Sequence, residues 1–254
     1  MANLPNFLDF KSAKDLVRIG KKNDGGYLVS NADILKSDLL IGLGINNDWS
    51  FEEDFHKTQK LDILAYDGSV FPKNWIKSSI KLLLRLRFSQ ALMLMRLYVN
   101  FKKFFGLENV KFYSEYVGYD DVSGDKHRFK SLDKILSQQK YKNIFLKIDI
   151  EGSEYRILNS ILKYQNQISG MVIELHDCDL HLQKIEEFVN KFELKLVHIH
   201  ANNFASSNKD NMVPIVLELT FSKYGDLSDS THLPHILDMP NNIERAEVDL
   251  TICK

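Results

Sequence analysis

The sequence predicts a single α/β domain built on a seven-stranded, mostly parallel sheet, and three observations carry that expectation. Short apolar runs, each closed by small or polar residues, read as strands buried on both faces. Amphipathic helical patterns lie between them, and such alternation winds a parallel sheet through right-handed crossovers. Near the end the alternation stops. Two strand patterns follow one another across a loop of about a dozen residues with no helical period, so they can pair as a long hairpin.

Taken in chain order, the predicted strands are Leu39–Leu43, Leu61–Tyr66, a weaker Val110–Tyr113, Ile144–Ile148, Met171–Leu175, Leu194–Ile199 and Val213–Phe221. The predicted helices are Phe51–Gln59, Leu132–Gln138, Glu154–Tyr164 and Leu180–Phe192; the third places Ile157, Leu158, Ile161 and Leu162 on one face. No internal repeat and no low-complexity linker interrupts residues 1–254, so one domain is expected.

Residues 73–107 read as a helical insertion. They carry Lys73, Lys77, Lys81, Arg85, Arg87, Arg96, Lys102 and Lys103 without one acidic residue. On a single helix the polar positions from Lys81 to Lys103 form a narrow stripe and the remainder is apolar. So wide an apolar face needs more than one surface to bury it. The domain itself, a second subunit or a membrane surface would serve, and a homo-oligomer through this insertion is the expectation adopted. The basic stripe is either a solvated face or a grip for a diphosphate.

The bulk composition narrows the class. The 254 residues suffice for one large core. Lys+Arg 33 against Asp+Glu 34 leaves a net charge of -1, so nothing global points to nucleic acid. The opening Met1-Ala-Asn-Leu-Pro-Asn-Phe has neither a basic nor an apolar export region, and no run approaches the ~18–20 apolar residues of a membrane span. Cys178 and Cys253 are too few for a disulfide framework and read as reduced thiols, which predicts a cytoplasmic protein.

The segment Ile41-Gly-Leu-Gly-Ile-Asn-Asn47 leaves the first strand and leads into a helix. Gly42 and Gly44 allow a sharp turn and close backbone approach, with Asn46 in the same loop. A dinucleotide fingerprint wants a third glycine where Asn47 stands, which weighs against NAD or FAD. The second strand ends in Asp67-Gly68, where a carboxylate grips a ribose diol or caps a turn. Glu115 and Tyr116 follow the third strand, where an adenine would rest.

The block Phe145-Leu-Lys-Ile-Asp-Ile-Glu-Gly-Ser-Glu-Tyr-Arg-Ile-Leu158 closely resembles the signature of the FkbM-like S-adenosylmethionine (SAM)-dependent methyltransferases. Ser131–Leu136, Arg18-Ile-Gly, Asn23–Tyr27, His198–Asn203, Pro214–Thr220 and Leu237–Asn242 resemble further parts of that family. The resemblance implies a class I methyltransferase Rossmann-like fold with an antiparallel last strand, SAM as cofactor, and an acceptor that is a nucleotide-activated sugar or surface glycan, such as a capsular heptose. The family's "GAN-G" loop and the aspartate near its first strand are replaced here by Gly42-Leu-Gly-Ile-Asn-Asn.

A sugar hydroxyl is a poor nucleophile at neutral pH, so its proton must be removed while the oxygen is held in line with the methyl. The candidates lie at strand ends. They are Asp149 with Glu151, then Glu174, His176 and Asp177, then His198 and His200 followed by Asn202 and Asn203. His176 is favoured as base because its strand neighbours that of Asp149; Asp149 and His200 are the alternatives. Glu151, Asp177, Asn202 and Asn203 are assigned to the acceptor, although two adjacent asparagines equally make a turn. Asp149, Glu174 and His176 also offer ligands for a divalent ion, the less favoured route because no Cys/His spacing signature accompanies them. Two other readings remain, methyl transfer to nitrogen or a phosphate-bearing small molecule, and a SAM-binding scaffold without catalysis. The intact Asp149–Glu154 block argues against the scaffold.

Overall fold

The computed structural model describes residues 2–118, 129–205, 207, 212–229, 231 and 233–252. Its central sheet contains β1 (Leu39–Leu43), β2 (Asp62–Tyr66), β3 (Val110–Tyr113), β4 (Ile144–Ile148), β5 (Ile168–Leu175), β6 (Lys195–Ala201) and β7 (Leu217–Ser222). Their order across the sheet is β6-β7-β5-β4-β1-β2-β3. All neighbours are parallel except β7, which runs antiparallel to both β5 and β6. This is the class I methyltransferase arrangement that the sequence predicts. Its last strand is inserted within the sheet, not added at the edge.

Helices α1 (Asn31–Lys36), α2 (Ser50–Thr58), α3 (Pro72–Leu84), α4 (Phe88–Phe104), α5 (Leu132–Ser137), α6 (Glu154–Lys163) and α7 (Leu182–Lys191) accompany the sheet. Strand alternation divides the core in two. Leu39, Ile41, Leu43, Ile144, Leu146 and Ile148 join one cluster with residues of α5, α6 and α7. Leu40 and Phe145 face the other way, onto Phe51 and Phe55 of α2. Gly42 and Lys147 are paired across the β1–β4 seam. They stand where this second face reaches the carboxyl end of the sheet.

The single helix expected over residues 73–107 is instead a hairpin. Leu86 takes φ +57° between α3 and α4, and the two helices pack on each other. The Ser79 hydroxyl donates to the Ala91 carbonyl at 3.0 Å where they cross. The chain turns back because the second half of α4 is apolar enough to enter the core. Phe101 and Phe104 are buried there, beside Trp49, Trp75 and Phe112. The uninterrupted polar stripe expected of one helix is therefore broken.

Several short elements were not expected. An antiparallel hairpin of Leu16–Ile19 with Tyr27–Ser30 packs over β5 and β7, and Ala2–Leu4 pairs in parallel with Leu250–Ile252. Among the described residues no helix is long and apolar enough to cross a membrane. Burial pushes the Cys178 thiol up to about 12, so it is an inert core group. Cys253 lies outside the described residues.

Candidate functional site

A cavity of about 1240 Å³ opens at the carboxyl ends of β1, β2, β4 and β5. The strand order reverses between β1 and β4, and ligands of open α/β sheets bind at such a switch point. Gly44, Asn46, Asp67, Gly68, Glu115, Tyr116, Asp149, Glu151, His176 and Asn202 all line it.

The turn after β1 is held from two sides. Gly44 takes φ +77°, and a Cβ there would lie 1.6 Å from the Asp149 carbonyl oxygen. At Gly42 a Cβ would meet Glu52 Oε1 at 2.5 Å. The space that a Cβ would need at these glycines is occupied by the protein's own atoms. Gly42 does not line the cavity at all.

Asp67 does what a turn cap does. Its Oδ2 accepts the Ile45 and Asn46 amides at 3.0 and 2.7 Å, and its Oδ1 accepts the Ser69 amide and hydroxyl at 2.8 and 2.6 Å. It joins the β1 and β2 turns into one ledge, and a ribose diol would share these oxygens. Gly68 has no room for a Cβ because the Tyr116 ring would lie 2.2 Å from it. Tyr116 stacks on Phe129 at 5.5 Å, and Glu115 lies 3.9 Å from Lys130.

The β4 and β5 ends form an acidic wall. After Asp149 the chain turns through Glu151 at φ +52° and Gly152 at φ +89°. Buried Glu154 ties that turn together, its Oε1 accepting the Ile150 and Gly152 amides, each at 3.1 Å. The same oxygen lies 3.2 Å from His176 Nδ1, which fixes the imidazole. His176 Nε2 then faces Glu151 at 3.4 Å and Glu174 at 3.8 Å. Burial alone would lower the pKa of His176, but Glu154, Glu174 and Asp149 outweigh it and raise it to about 9. Burial, with Glu218 and Asp149 nearby, holds the Glu174 carboxyl well above the usual range.

Asp149, Glu151 and His176 place ligand atoms within 4.8 Å of one another. These are the side chains that would take a divalent ion. Glu151 replaces Glu174 in the set expected from the sequence.

Three contributors, Tyr27, Lys147 and Glu52, were not expected from the sequence. Tyr27 donates to Glu174 at 3.1 Å and approaches Asp149 at 3.4 Å. Asn202, an expected acceptor ligand, donates to the other Glu174 oxygen at 3.0 Å. Lys147 is buried, bonds the Gly44 carbonyl and lies 3.7 Å from Asp149. Burial pushes Lys147 down, yet Asp149, Glu52 and Glu174 outweigh this and keep its pKa raised. Glu52 is buried opposite, and burial pushes it up to about 7 against the pull of Lys147. A lysine inside an apolar strand pattern was the visible signal for this pair.

Three expected site residues are elsewhere. Asp177 stands at the start of a short turn with φ +50° and does not line the cavity. Asn203 donates to the carbonyls of Asn242, Arg245 and Ala246, so it clasps the C-terminal segment. His200 lies between Glu218, at 3.0 Å, and Glu247. It serves neither as base nor as sugar ligand in this geometry, because both ring nitrogens are engaged away from the cavity. His198 is likewise 2.9 Å from Asp238. Nor does any residue of α3 or α4 line the cavity, so the basic hairpin is not a diphosphate grip there.

The His200 clasp has a pH signature. Burial would lower its pKa, but Glu218 and Glu247 outweigh burial and raise it to about 10. Its folded pKa exceeds the unfolded ~6.5, so its stabilisation is complete below ~6.5. It declines by about 1.4 kcal/mol per pH unit above that and is gone once pH passes the folded value. Denaturant unfolding of wild type and His200→Gln should therefore show a stability gap in mildly acidic buffer that closes as pH rises through about 10. A gap independent of pH would mean that the imidazole is neutral.

No protein-family model and no curated relative matches the chain. Similar solved structures include a precorrin-6y C5,15-methyltransferase from Geobacter metallireducens GS-15, at 13% identity and TM-score 0.39, covering 76% of this chain and 86% of that one. An rRNA methylase from Streptococcus thermophilus has 11% identity and TM-score 0.38, over 76% and 91% of the two chains. An O-methyltransferase family protein from Burkholderia thailandensis has 8% identity and TM-score 0.37, over 76% and 53%.

Proposed function

We propose that this chain is a SAM-dependent methyltransferase whose acceptor is a sugar hydroxyl of a nucleotide-linked sugar or glycan. The observation that carries this reading is the charge of the switch-point cavity. Asp24, Asp48, Asp67, Glu115, Asp149 and Glu151, with the buried acids Glu52 and Glu174, line it against Lys21, Lys147 and His176. Carboxylates in such excess attract a sulfonium that also carries an ammonium group. They are also good acceptors for sugar hydroxyls. The FkbM-like block Phe145–Leu158 supplies this acidic wall and supports the same class of acceptor.

The residues present fit SAM. The Gly44–Asn46 ledge with Asp67 would hold its ribose, Tyr116 beside Gly68 its adenine, and the Asp149 end of β4 its cationic part. When bound, SAM supplies an already activated methyl. The protein's share is to orient the acceptor oxygen and take its proton. Asn202 and Tyr27 hold Glu174, and Glu154 holds His176, so the wall is rigid before an acceptor arrives. His176 Nε2 receives the hydroxyl proton, and the surrounding carboxylates stabilise the imidazolium that results.

Titration calorimetry should show SAM binding at one site per chain, with NAD far weaker. Asp67→Ala should weaken SAM by about 1–3 kcal/mol, the scale of a lost charge-assisted bond pair. Mass spectrometry across nucleotide-sugars, glycans, amines, phosphates and RNA would then identify the acceptor. Preferential NAD binding would overturn the cofactor assignment. Methylated amine or phosphate alone would overturn the acceptor, and tight SAM binding without any product would favour the scaffold reading.

A further inference from the structure

The α3–α4 hairpin has a buried base and a bare tip. Phe101 and Phe104 anchor the base, and Trp75 stacks on Trp49 at 6.4 Å. At the tip Leu84 is 82% exposed, Leu86 75% and Phe88 61%, with Arg85 and Arg87 exposed between them. A rigid base therefore holds a cluster of large apolar side chains out in water, an arrangement that marks an interaction surface.

Charge selects the occupant. From Lys73 to Lys103 the hairpin bears only cations. Self-pairing through this face would set arginine against arginine with no carboxylate on the hairpin to relieve it. A surface that accepts both features must be apolar below and anionic above. Neither helix is long and apolar enough to span a bilayer, so the contact is interfacial.

We propose that the hairpin tip docks on an anionic lipid membrane, with Leu84, Leu86 and Phe88 entering the headgroup boundary and Arg85 and Arg87 meeting lipid phosphates. The basic residues behind the tip, Lys77, Lys81 and Arg96, strengthen the attraction at longer range. Docking of this kind is independent of the acceptor and of the cofactor, because no residue of the hairpin lines the cavity.

The test is flotation of the full-length protein with vesicles of phosphatidylcholine alone and of phosphatidylcholine with phosphatidylglycerol in equal parts. Binding should be confined to the anionic vesicles and should weaken as salt is raised. Arg85→Gln with Arg87→Gln should reduce it about tenfold or more. Leu84→Ser, Leu86→Ser and Phe88→Ser together should do likewise. The substituted side chains are exposed, so thermal unfolding midpoints should stay at the wild-type value. Absence of binding to anionic vesicles, or equal binding to both kinds, would overturn the proposal. So would a wild-type dimer in sedimentation that the triple serine variant dissolves while vesicles stay unbound, since the occupant would then be a second copy.

Discussion

Replacing His176 by alanine is expected to lower kcat by roughly 10²–10⁴, the usual share of a general base, with SAM affinity nearly unchanged. The imidazole is fixed by Glu154 at 3.2 Å and presents Nε2 to the cavity wall between Glu151 and Glu174. The carboxylates that raise its pKa to about 9 also decide the pH profile. Only the neutral ring accepts a proton, and at neutral pH roughly one site in a hundred carries it. Wild-type turnover should therefore climb about tenfold per pH unit above neutrality and level off as pH passes the His176 value. This moves the optimum to the alkaline side of the position that an unperturbed histidine would give. His176→Ala should lose that rise. Asp149→Asn should be severe as well, because Asp149 is shared by Tyr27, Lys147 and the His176 field. A flat pH profile with turnover abolished by a chelator and restored by a divalent ion would transfer activation of the hydroxyl from His176 to an ion on Asp149, Glu151 and His176.

Gly44→Ala is expected to abolish SAM binding and to destabilise the fold by about 3 kcal/mol or more. Two penalties coincide there. The left-handed φ of +77° costs an L side chain about 1–2 kcal/mol, and the new methyl would sit 1.6 Å from the Asp149 carbonyl oxygen. That oxygen cannot retreat cheaply, because the Asp149 amide donates to Leu43 at 2.9 Å and the Gly44 amide to Tyr66 at 2.9 Å. Gly152→Ala is the matched control. It has φ +89° but nothing within 4 Å of the added carbon, so only the backbone penalty applies. Denaturant unfolding of the two variants should separate them clearly. Equal losses would show that the β1–β4 seam yields to the methyl.

The sheet was legible because its signal is local. Leu39–Leu43, Val110–Tyr113 and Ile144–Ile148 form with the bounds that their apolar runs define, and β7 is antiparallel as the missing crossover helix required. The β4 turn was legible too, since Asp149, Glu151 and Glu154 lie within six residues of one another and act together. The reversal at Leu86 was not. It has no glycine or proline to announce it, and it follows from the burial of Phe101 and Phe104 many residues later.

The histidines show the same division. Alternation along β6 correctly puts His198 and His200 on the face opposite Ile199. Which face looks into the cavity depends on what covers the strand, and the covering groups are Asp238 and Glu247, far along the chain. The amino-acid order by itself thus determined the strands of the central sheet, the sheet's polarity, the glycine turn and the carboxylate-rich turn after β4, because each rests on hydrophobic period or on contacts among near neighbours. Only the tertiary structure decided that Tyr27 and Glu174 share a wall with His176, that Lys147 faces Glu52, and that His200 clasps a strap. Those pairings join segments distant in sequence, and burial, which has no local signature, sets both their geometry and their charge.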